Sequence, residues 1–251
     1  MCLLVVVSRV DPAVPLILGA NRDERVDRPT TAATVLRPEG PRILGGRDHV
    51  AGGTWLAVNE HGVVAGLTNR PSPDGRDPSK RSRGELPMAL AGHVDARSAV
   101  DAFTGQFRPD DFNPAWILVG DRESLFYLDM TQGARPEAAE LPPGIHILEN
   151  NPLGAPSPKT SNIRDLIDRI DPATGLRGLL ADHRVPADSE GLPEGVDPAV
   201  LAACVHTAEY GTRSSSLIRV PADRRALPEV SVADGHPCTS SFADVSTMWS
   251  A

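Results

Sequence analysis

The chain has 251 residues, 40% of them hydrophobic and 23% charged, which is the size and composition of one large globular domain or two small ones. Its formal net charge of −8 would repel a phosphate backbone, so the composition argues against nucleic-acid binding. No run approaches the ~20 apolar residues of a membrane span, and the N-terminal run lacks the basic start of a secretory signal. The three cysteines, Cys2, Cys204 and Cys238, have no paired spacing and predict a reduced, cytoplasmic protein without a disulfide framework.

The sequence opens with Met1 and Cys2, followed by the apolar run at residues 3–7. This run is short and rich in β-branched residues, which predicts a buried strand. If Met1 is removed, Cys2 carries both a thiol and a free α-amine, and the amine can act as the general base that activates the thiol as a nucleophile. The alternative interpretation is that Cys2 only begins a core strand.

A second apolar run at residues 15–20 predicts the partner strand of a hairpin, and it ends in the polar sequence at residues 21–25. The hairpin would bring Arg22 and Asp23 beside Cys2. An arginine there would lower the pKa of the thiol, and a carboxylate would orient the α-amine. A charged turn with surface ion pairs is the alternative interpretation of these polar residues.

Residues 52–68 predict a second hairpin, with a turn in which Gly62 supplies a positive φ angle. The return strand ends at Asn69, before a long loop. An asparagine amide in that position can donate a hydrogen bond to an oxyanion, and capping of the turn is its alternative role. The preceding residues 31–50 predict an irregular loop.

The rest of the chain alternates groups of helices with groups of strands. Helices are predicted at residues 82–90, 95–107 and 158–170, and Ser82 and Glu85 are expected to form a capping box at the first of them. Strands are predicted at residues 116–120, 125–129, 145–149 and 214–220. Residues 184–198 predict an exposed loop. This order differs from the βαβ alternation of a parallel sheet and favours antiparallel sheets with helices outside. Neither a linker nor a repeat divides the sequence, so a single domain over residues 1–251 is predicted.

Five motifs, in this order, make the sequence resemble the NRDE family, also called the transport and Golgi organisation family. The first motif is Met1-Cys2 before an apolar strand, and the second is the tetrapeptide Asn21-Arg22-Asp23-Glu24. The third consists of residues 53–57 and 67–69, which start and close the second hairpin, and the last two are residues 82–86 and 210–216. They span residues 1 to about 220. The family is similar, more distantly, to the N-terminal-nucleophile hydrolases of the choloylglycine hydrolase and penicillin V acylase type.

The resemblance implies an α+β fold, a four-layer αββα sandwich of two antiparallel sheets with helices outside. It also implies that the Cys2 thiolate attacks an amide, ester or thioester carbonyl while the α-amine takes and returns the proton. The implied catalytic residues are Cys2, Asp23 next to the nucleophile, Asn69 at the oxyanion hole, Asn150, and Arg213 near the C-terminus. Within the same motifs, Arg22, Trp55 and Tyr210 are assigned to substrate binding.

The sequence departs from the family pattern around Asn150. The family has a Ser-Asn step some nine residues before a Pro-Trp-Pro-Lys segment, whereas here Glu149 precedes Asn150 and Ser157 replaces the tryptophan. Asn151 is therefore an alternative to Asn150 as the residue that faces the site.

A second departure concerns the arginine of the first hairpin. The related hydrolases carry it three residues before the aspartate, where this chain has Ala20. Arg22 is instead adjacent to Asp23, so its side chain should point to the other face of the strand. The resemblance therefore leaves both a structural and a binding role open for Arg22.

Two functions are predicted from these features, and a purely structural role is the third interpretation. The first is an amidohydrolase that acts on non-peptide carbon–nitrogen bonds, such as linear amides, or on thioesters, with a small-molecule amide or acyl substrate and without cofactor or metal. The second is a non-catalytic binding or trafficking protein for haem or an acyl-CoA-type ligand, because eukaryotic members of the family are linked to haem and lipid handling and membrane traffic. Seven histidines are available as ligands, but no pair has metal-site spacing and no haem motif occurs.

Overall fold

A computed structural model of the protein describes residues 2–72, 75–186, 192 and 195–250. The strands are β1 (Cys2–Ser8), β2 (Leu16–Arg25), β3 (Thr30–Arg37), β4 (Ile43–Asp48), β5 (Leu56–Asn59), β6 (Val64–Asn69), β7 (Ala115–Gly120), β8 (Leu125–Met130), β9 (Glu137–Glu140), β10 (Gly144–Leu148), β11 (Tyr210–Val220), β12 (Glu229–Asp234) and β13 (Ala243–Asp244). The α-helices are α1 (Glu85–Leu90), α2 (Ala96–Gln106), α3 (Pro158–Ile167) and α4 (Leu176–Leu180).

These strands form two antiparallel sheets that pack face to face. The first sheet has the strand order β10-β1-β2-β11-β12-β13, and the second has the order β3-β4-β5-β6-β7-β8-β9. The chain builds the first sheet from both of its ends, because β1 and β2 pair with β10 and β11 across more than a hundred intervening residues. The N-terminal strand is therefore an interior strand, paired on both sides, and not an edge strand.

The strand β1 is buried on both faces, which explains its uninterrupted apolar sequence. Leu4 and Val6 pack in the core between the two sheets. Leu3, Val5 and Val7 face outward and pack in the cluster that also contains residues of α3 and α4. A strand covered on both sides has no polar face, so its sequence does not alternate.

The helices cover the outer faces of the sheets. Leu86 of α1 and Phe103 of α2 pack against the second sheet, and Ile163 of α3 and Leu176 of α4 pack against the first. The N-terminus of α2 is capped by Asp95, whose side chain accepts from the backbone N–H of Ser98 at 2.7 Å. The four-layer αββα sandwich of two antiparallel sheets predicted from the sequence is confirmed.

Two arginines join the sheets at the end of the sandwich away from Cys2. The guanidinium of Arg122, in the turn between β7 and β8, donates to the carbonyls of His61 at 2.5 Å and Pro221 at 2.7 Å, which belong to opposite sheets. Arg9, just after β1, donates to the carbonyls of Glu123 at 2.8 Å and Leu141 at 2.6 Å. The loops at this end are thus bonded across the sandwich through main-chain acceptors.

The irregular loop predicted at 31–50 was wrong, because β3 and β4 occupy most of it. The strand β3 lies at the edge of the second sheet and is mostly half-buried, so it lacks a clear apolar alternation. In β4 the glycines make room: a Cβ atom on Gly46 would lie 2.1 Å from the indole ring of Trp55. A glycine pair that resembles a loop signal is here a packing requirement.

The helical boundaries also differ in places from those predicted. The capping box at Ser82 and Glu85 does not form, since α1 begins at Glu85 without a side-chain cap, and Ser82 instead accepts from the N–H of Gly84 at 3.3 Å. The predicted exposed loop at 184–198 lies partly outside the described residues, as does Met1. Within the described part of the chain, none of the helices has both the length and the hydrophobicity needed to cross a bilayer.

Candidate active site

Cys2 lies at the first position of β1, opposite Arg22 on β2. Its side chain is on the same face of the strand as Leu4 and Val6, and therefore points toward the space between the sheets. Only 8% of the residue is exposed, and it lines a pocket of about 290 Å³ at one end of the sandwich. The predicted hairpin of β1 and β2 is formed, and it places the thiol at the base of a cavity.

The thiol of Cys2 is in a mixed electrostatic environment. Burial raises the pKa of the Cys2 thiol, and the Asp23 carboxylate acts in the same direction. The Arg22 guanidinium and a hydrogen bond from the backbone N–H of Asp23 oppose this rise. Because the pKa is raised overall, the thiol is protonated at neutral pH, and it needs a nearby base before it can act as a nucleophile.

Asn150 contacts the main chain of Cys2 directly. Its side-chain Oδ1 accepts from the nitrogen of Cys2 at 3.0 Å, and its Nδ2 donates to the backbone carbonyl of Asn69 through a very short hydrogen bond. Asn151 instead points toward Glu149, at 3.4 Å. Of the two asparagines left open by the sequence, the structure places Asn150 against the nitrogen that would become the α-amine.

Asp23 occupies the opposite face of β2 from Arg22, as the sequence predicts. Its Oδ1 accepts from the hydroxyl of Thr212 at 2.6 Å, and its Oδ2 lies 3.5 Å from the ammonium of Lys159 on α3. The side chains of Asp23 and Lys159 are 0% and 1% exposed. This buried ion pair was not predicted from the sequence, because Lys159 and Asp23 are 136 residues apart.

Arg22 and Trp55 meet in the pocket wall. The guanidinium carbon of Arg22 lies 4.4 Å from the centroid of the Trp55 ring, which is the geometry of a cation–π contact. Nη2 of Arg22 lies 3.6 Å from a carboxylate oxygen of Glu24. Nη1 is buried and has no hydrogen-bond partner among the described residues, so it is available to a ligand.

Asn69 ends β6 and lies in the wall of the same pocket. The first and second sheets thus each contribute a polar strand end beside Cys2. Of the residues proposed from the sequence, Cys2, Asp23, Arg22, Trp55 and Asn69 line the pocket, and Asn150 bonds to two residues of that wall.

Arg213 and Tyr210 are not among the described residues that line this pocket. Arg213 is the extra residue of a β-bulge in β11, where the pairing with β2 shifts between Thr212 and Ser214. The hydroxyl of Tyr210 donates to the backbone carbonyl of Asp23 at 2.6 Å, so this side chain secures β2 from outside the pocket. The catalytic and binding roles assigned to these two residues stay predictions.

Arg83 also lines the pocket and belongs to the basic run at residues 80–83, for which the sequence allows either a solvated loop or a binding patch for an anionic substrate. Its Nη1 donates to the carbonyl of Pro114 at 3.1 Å. Burial, together with the nearby charge of Arg76, lowers the pKa of Arg83 to about 10. The available signal was the basic run at residues 80–83, whose position beside the pocket depends on the close contact of Gly53 with Gly84.

The sequence matches the family model described as Transport and Golgi organisation 2 over residues 1–227. Among curated relatives, a bovine Transport and Golgi organization protein 2 homolog is 30% identical over 234 residues, and a mouse homolog is 29% identical over 238 residues. Each match covers 84% of this chain and 84% of the relative.

Solved structures that are similar in fold include an acid amidase ortholog, an acylase and a bile acid hydrolase. An ortholog of N-acylethanolamine-hydrolyzing acid amidase from Caenorhabditis elegans superimposes with a TM-score of 0.57 and 15% identity, covering 90% of this chain and 98% of its own. A penicillin V acylase from Agrobacterium tumefaciens gives 0.51 and 12%, covering 97% and 86%. A conjugated bile acid hydrolase from Clostridium perfringens gives 0.55 and 12%, covering 98% and 93%. At these identities the likeness shows the fold alone.

Proposed function

Because the chain belongs to the Transport and Golgi organisation 2 family and has the fold of the N-terminal-nucleophile hydrolases, we propose that it hydrolyses a small-molecule amide or thioester with the Cys2 thiol as nucleophile. This proposal depends on two contacts of Cys2, one made by its side chain and one by its main chain. The side chain of Cys2 lines the pocket, while its main-chain nitrogen is hydrogen-bonded to Asn150. The structural neighbours named as an amidase and an acylase support the same reaction class.

The proposed reaction begins with removal of Met1, which turns the nitrogen of Cys2 into an α-amine. This amine accepts the thiol proton, and the thiolate attacks the carbonyl carbon of the substrate. The side-chain amide of Asn69 donates to the oxygen that becomes negatively charged. Collapse of the tetrahedral intermediate breaks the C–N or C–S bond, and the leaving amine or thiol takes the proton from the α-ammonium. Water then hydrolyses the acyl-enzyme thioester and releases the acid.

Asp23 supports this reaction by position. Its carboxylate is held by Thr212 and Lys159 on the far face of β2, and its backbone N–H reaches the thiol of Cys2. Fixing Asp23 therefore fixes the end of β2 that contacts the nucleophile. Asn150 does the same for the amine, since its amide bonds both Cys2 and Asn69.

The charges of the pocket favour a substrate that carries an anionic group. Its described wall contains Arg22, Arg28, Arg76, Arg81 and Arg83 against the carboxylates of Glu24 and Asp48, since the carboxylate of Asp23 lies on the far face of β2. Arg81 is paired with Glu85 at 2.6 Å. Arg28 is neutralised by Asp48 at 2.7 Å, whereas one nitrogen of Arg22 is unpaired among the described residues and Arg83 bonds a carbonyl. A carboxylate or phosphate on the substrate would satisfy Arg22 and Arg83.

Intact-mass measurement of the purified protein is the first test, and we expect a chain that begins at Cys2. The second test compares wild type with Cys2→Ala and Cys2→Ser on acyl amides and acyl thioesters, each with and without an anionic group. We expect turnover of an anionic member by wild type and its loss in Cys2→Ala. Retained Met1, or undiminished turnover in Cys2→Ala, would refute the mechanism.

A non-catalytic carrier of an acyl-CoA-type ligand is the second candidate, because the same arginines suit a phosphate-bearing ligand. Mass spectrometry of ligands that co-purify with wild type and with Cys2→Ala distinguishes a carrier from an enzyme. A carrier retains an intact acyl thioester in wild type and in the variant. An enzyme retains it only in the variant. For haem, the described residues of this pocket wall include no histidine, so the pocket offers no imidazole ligand, and a Soret shift on haem titration would favour the carrier over the enzyme. The cytoplasmic location suggested by the cysteine usage is part of this proposal.

A further inference from the structure

Four potential metal ligands converge outside the candidate active site. Cys204 and His206 precede β11, while His236 and Cys238 follow β12, and none of the four is among the described residues of the Cys2 pocket. The Sγ atom of Cys204 lies 3.3 Å from Nε2 of His206 and 3.9 Å from Sγ of Cys238. Nε2 of His206 lies 3.1 Å from Sγ of Cys238. Ligand atoms of Cys204, His206 and His236 all lie within 4.8 Å of one another.

These separations suit a tetrahedral metal ion. With Zn–S bonds of about 2.3 Å and Zn–N bonds of about 2.0–2.1 Å, neighbouring ligand atoms of a tetrahedron are roughly 3.3–3.8 Å apart. The three separations among the ligand atoms of Cys204, His206 and Cys238 are 3.1, 3.3 and 3.9 Å and bracket that range. His236 adds a fourth ligand atom, within 4.8 Å of those of Cys204 and His206. Two thiols and two imidazoles are also the ligand set that prefers zinc over magnesium or calcium, which require oxygen ligands.

His236 independently indicates that this cluster binds a ligand. Its Nδ1 atom is buried and has no hydrogen-bond partner among the described residues. A buried ring nitrogen without a partner loses its interaction with water and gains nothing in return. The ring also stacks on that of His206, with centroids 3.9 Å and planes 20° apart, so the two imidazoles are neighbours, and one ring has to rotate before both in-plane nitrogens point at the same ion.

The backbone holds the two halves of the cluster in place. Thr212 at the start of β11 donates its backbone N–H to the carbonyl of Val205 at 2.9 Å, which pins the segment that carries Cys204 and His206. The carbonyl of His236 accepts from the N–H of Ser240 at 2.8 Å, which closes a turn around Cys238. The four side chains therefore meet on a preformed scaffold and not on a free loop.

We propose that Cys204, His206, His236 and Cys238 form a binding site for a zinc-like divalent transition-metal ion. Binding displaces one proton from each thiol, and the two thiolates and two neutral imidazoles become the four ligands. Four protein ligands leave no open coordination position, so the ion serves structure. It links the segment before β11 to the turn after β12, on either side of the bulge at Arg213. His206 is exposed, which gives the ion a path from solvent.

Titration of the reduced, metal-free full-length protein with Co²⁺ tests the proposal, since tetrahedral thiolate sites give intense visible d–d bands and a thiolate-to-cobalt charge-transfer band. We expect saturation at one equivalent per chain, displacement of the bands by Zn²⁺, and a higher melting temperature with Zn²⁺. In the variants Cys238→Ser and His206→Asn, the charge-transfer band should be weaker, or it should no longer saturate at one equivalent of Co²⁺ per chain. These two positions are half-buried or exposed, and circular dichroism verifies that each variant folds.

His183→Ala is the matched control, because this exposed histidine contacts the His206 ring edge-on at 5.8 Å without belonging to the ligand set. It should bind Co²⁺ like wild type. Absence of the bands in wild type, or their persistence in a folded Cys204→Ser, Cys238→Ser double variant, would overturn the proposal. A disulfide between Cys204 and Cys238 would also overturn it. Such a bond would appear, in protein purified without reductant, as a mass lower by two hydrogens and as a failure to bind Co²⁺. Turnover by Cys2 enters none of these measurements, so failure of the proposed hydrolase activity leaves the metal site unaffected.

Discussion

At Asn150, a single side-chain amide satisfies two main-chain groups, the nitrogen of Cys2 and the carbonyl of Asn69. Replacing it with alanine leaves both groups buried without that partner, and we expect the free energy of unfolding to fall by about 1–3 kcal/mol. Turnover by the proposed mechanism should fall as well, because the amine loses the acceptor that orients it. Urea denaturation and steady-state kinetics measure the two effects.

The neighbouring variant Asn151→Ala is the control for this prediction. Its side chain makes a single long contact with Glu149 at 3.4 Å, so we expect a change of no more than about 0.5 kcal/mol and ordinary turnover. Equal losses in the two variants would mean that Asn150 has no special relation to Cys2.

Lys159 is a buried cation that lies 3.5 Å from the buried carboxylate of Asp23. Lys159→Met removes the positive charge and keeps most of the side-chain volume, so Asp23 is left as a buried charge without it. We expect the free energy of unfolding to fall by roughly 3–5 kcal/mol. Chemical denaturation checks this, with Arg224→Met as control. Arg224 pairs with Glu123 at the surface, where both side chains are more than 70% exposed, so its removal should cost at most about 1 kcal/mol.

At the scale of elements, the close approach of β4 to Trp55 sets the shape of the pocket. A Cβ atom on Gly46 would lie 2.1 Å from the Trp55 indole, which itself packs against Arg22. We expect Gly46→Ala to lower the free energy of unfolding by roughly 1–3 kcal/mol and to raise the KM of an anionic substrate, since the ring must shift away from its place beside Arg22. Thermal unfolding and kinetics test this.

Gly105→Ala in α2 is the matched control, because nothing lies within 4 Å of a Cβ atom at that position. Alanine favours the helix over glycine, so this variant should be unchanged or more stable by up to about 1 kcal/mol. If the two alanine substitutions behave alike, the packing explanation for Gly46 is incorrect.

The elements also show which parts of the molecule the sequence can predict. The apolar run of β1 and the run at the start of β2 are predictable because strands buried on both faces carry continuous apolar sequence. By contrast, β3 is a half-buried edge strand of mixed composition, and β4 contains a glycine pair whose reason is a tryptophan elsewhere in the chain. Both were predicted as loop, since their local sequences contain no periodic signal.

The same contrast holds for the sites. Cys2, Arg22 and Asp23 are brought together by one short hairpin, so neighbouring sequence predicts their proximity. Arg213 is different, because the bulge in β11 shifts the alternation of side chains and the sequence does not mark it. The Cys204–Cys238 cluster is a third case. Its two halves are separated by the whole β11–β12 hairpin, so residue spacing alone excluded it as a metal site.

On the scale of the whole molecule, a chain with a net charge of −8 concentrates arginines in one pocket. Because the pKa of Arg83 is lowered to about 10, its charged form is less favourable in the folded than in the unfolded protein. This destabilisation is fully present below about pH 10 and fades as the pH rises from there toward the ordinary pKa of an arginine. Arg83→Met should therefore raise the free energy of unfolding at neutral pH by roughly 1 kcal/mol.

The same variant should bind an anionic substrate less well, so stability and function change in opposite directions. Denaturation at pH 7 and at pH 10 and above measures the first effect, and the KM of anionic and neutral substrates measures the second. A variant that is less stable at pH 7, or that affects both substrates equally, would contradict this account of the charge.

The cross-sheet contacts of Arg9 and Arg122 have a mechanical consequence for the sandwich. They fasten the loops of both sheets at the end away from Cys2, through main-chain carbonyls that no change of side chain can remove. At the Cys2 end, the hydrogen bond of Asn150 to Asn69 spans the same gap. Cross-sheet hydrogen bonds therefore border the core at both ends of the sandwich. A ligand bulky enough to separate the sheets beside Cys2 would have to break the bond of Asn150 to Asn69, while the contacts of Arg9 and Arg122 at the far end would stay in place.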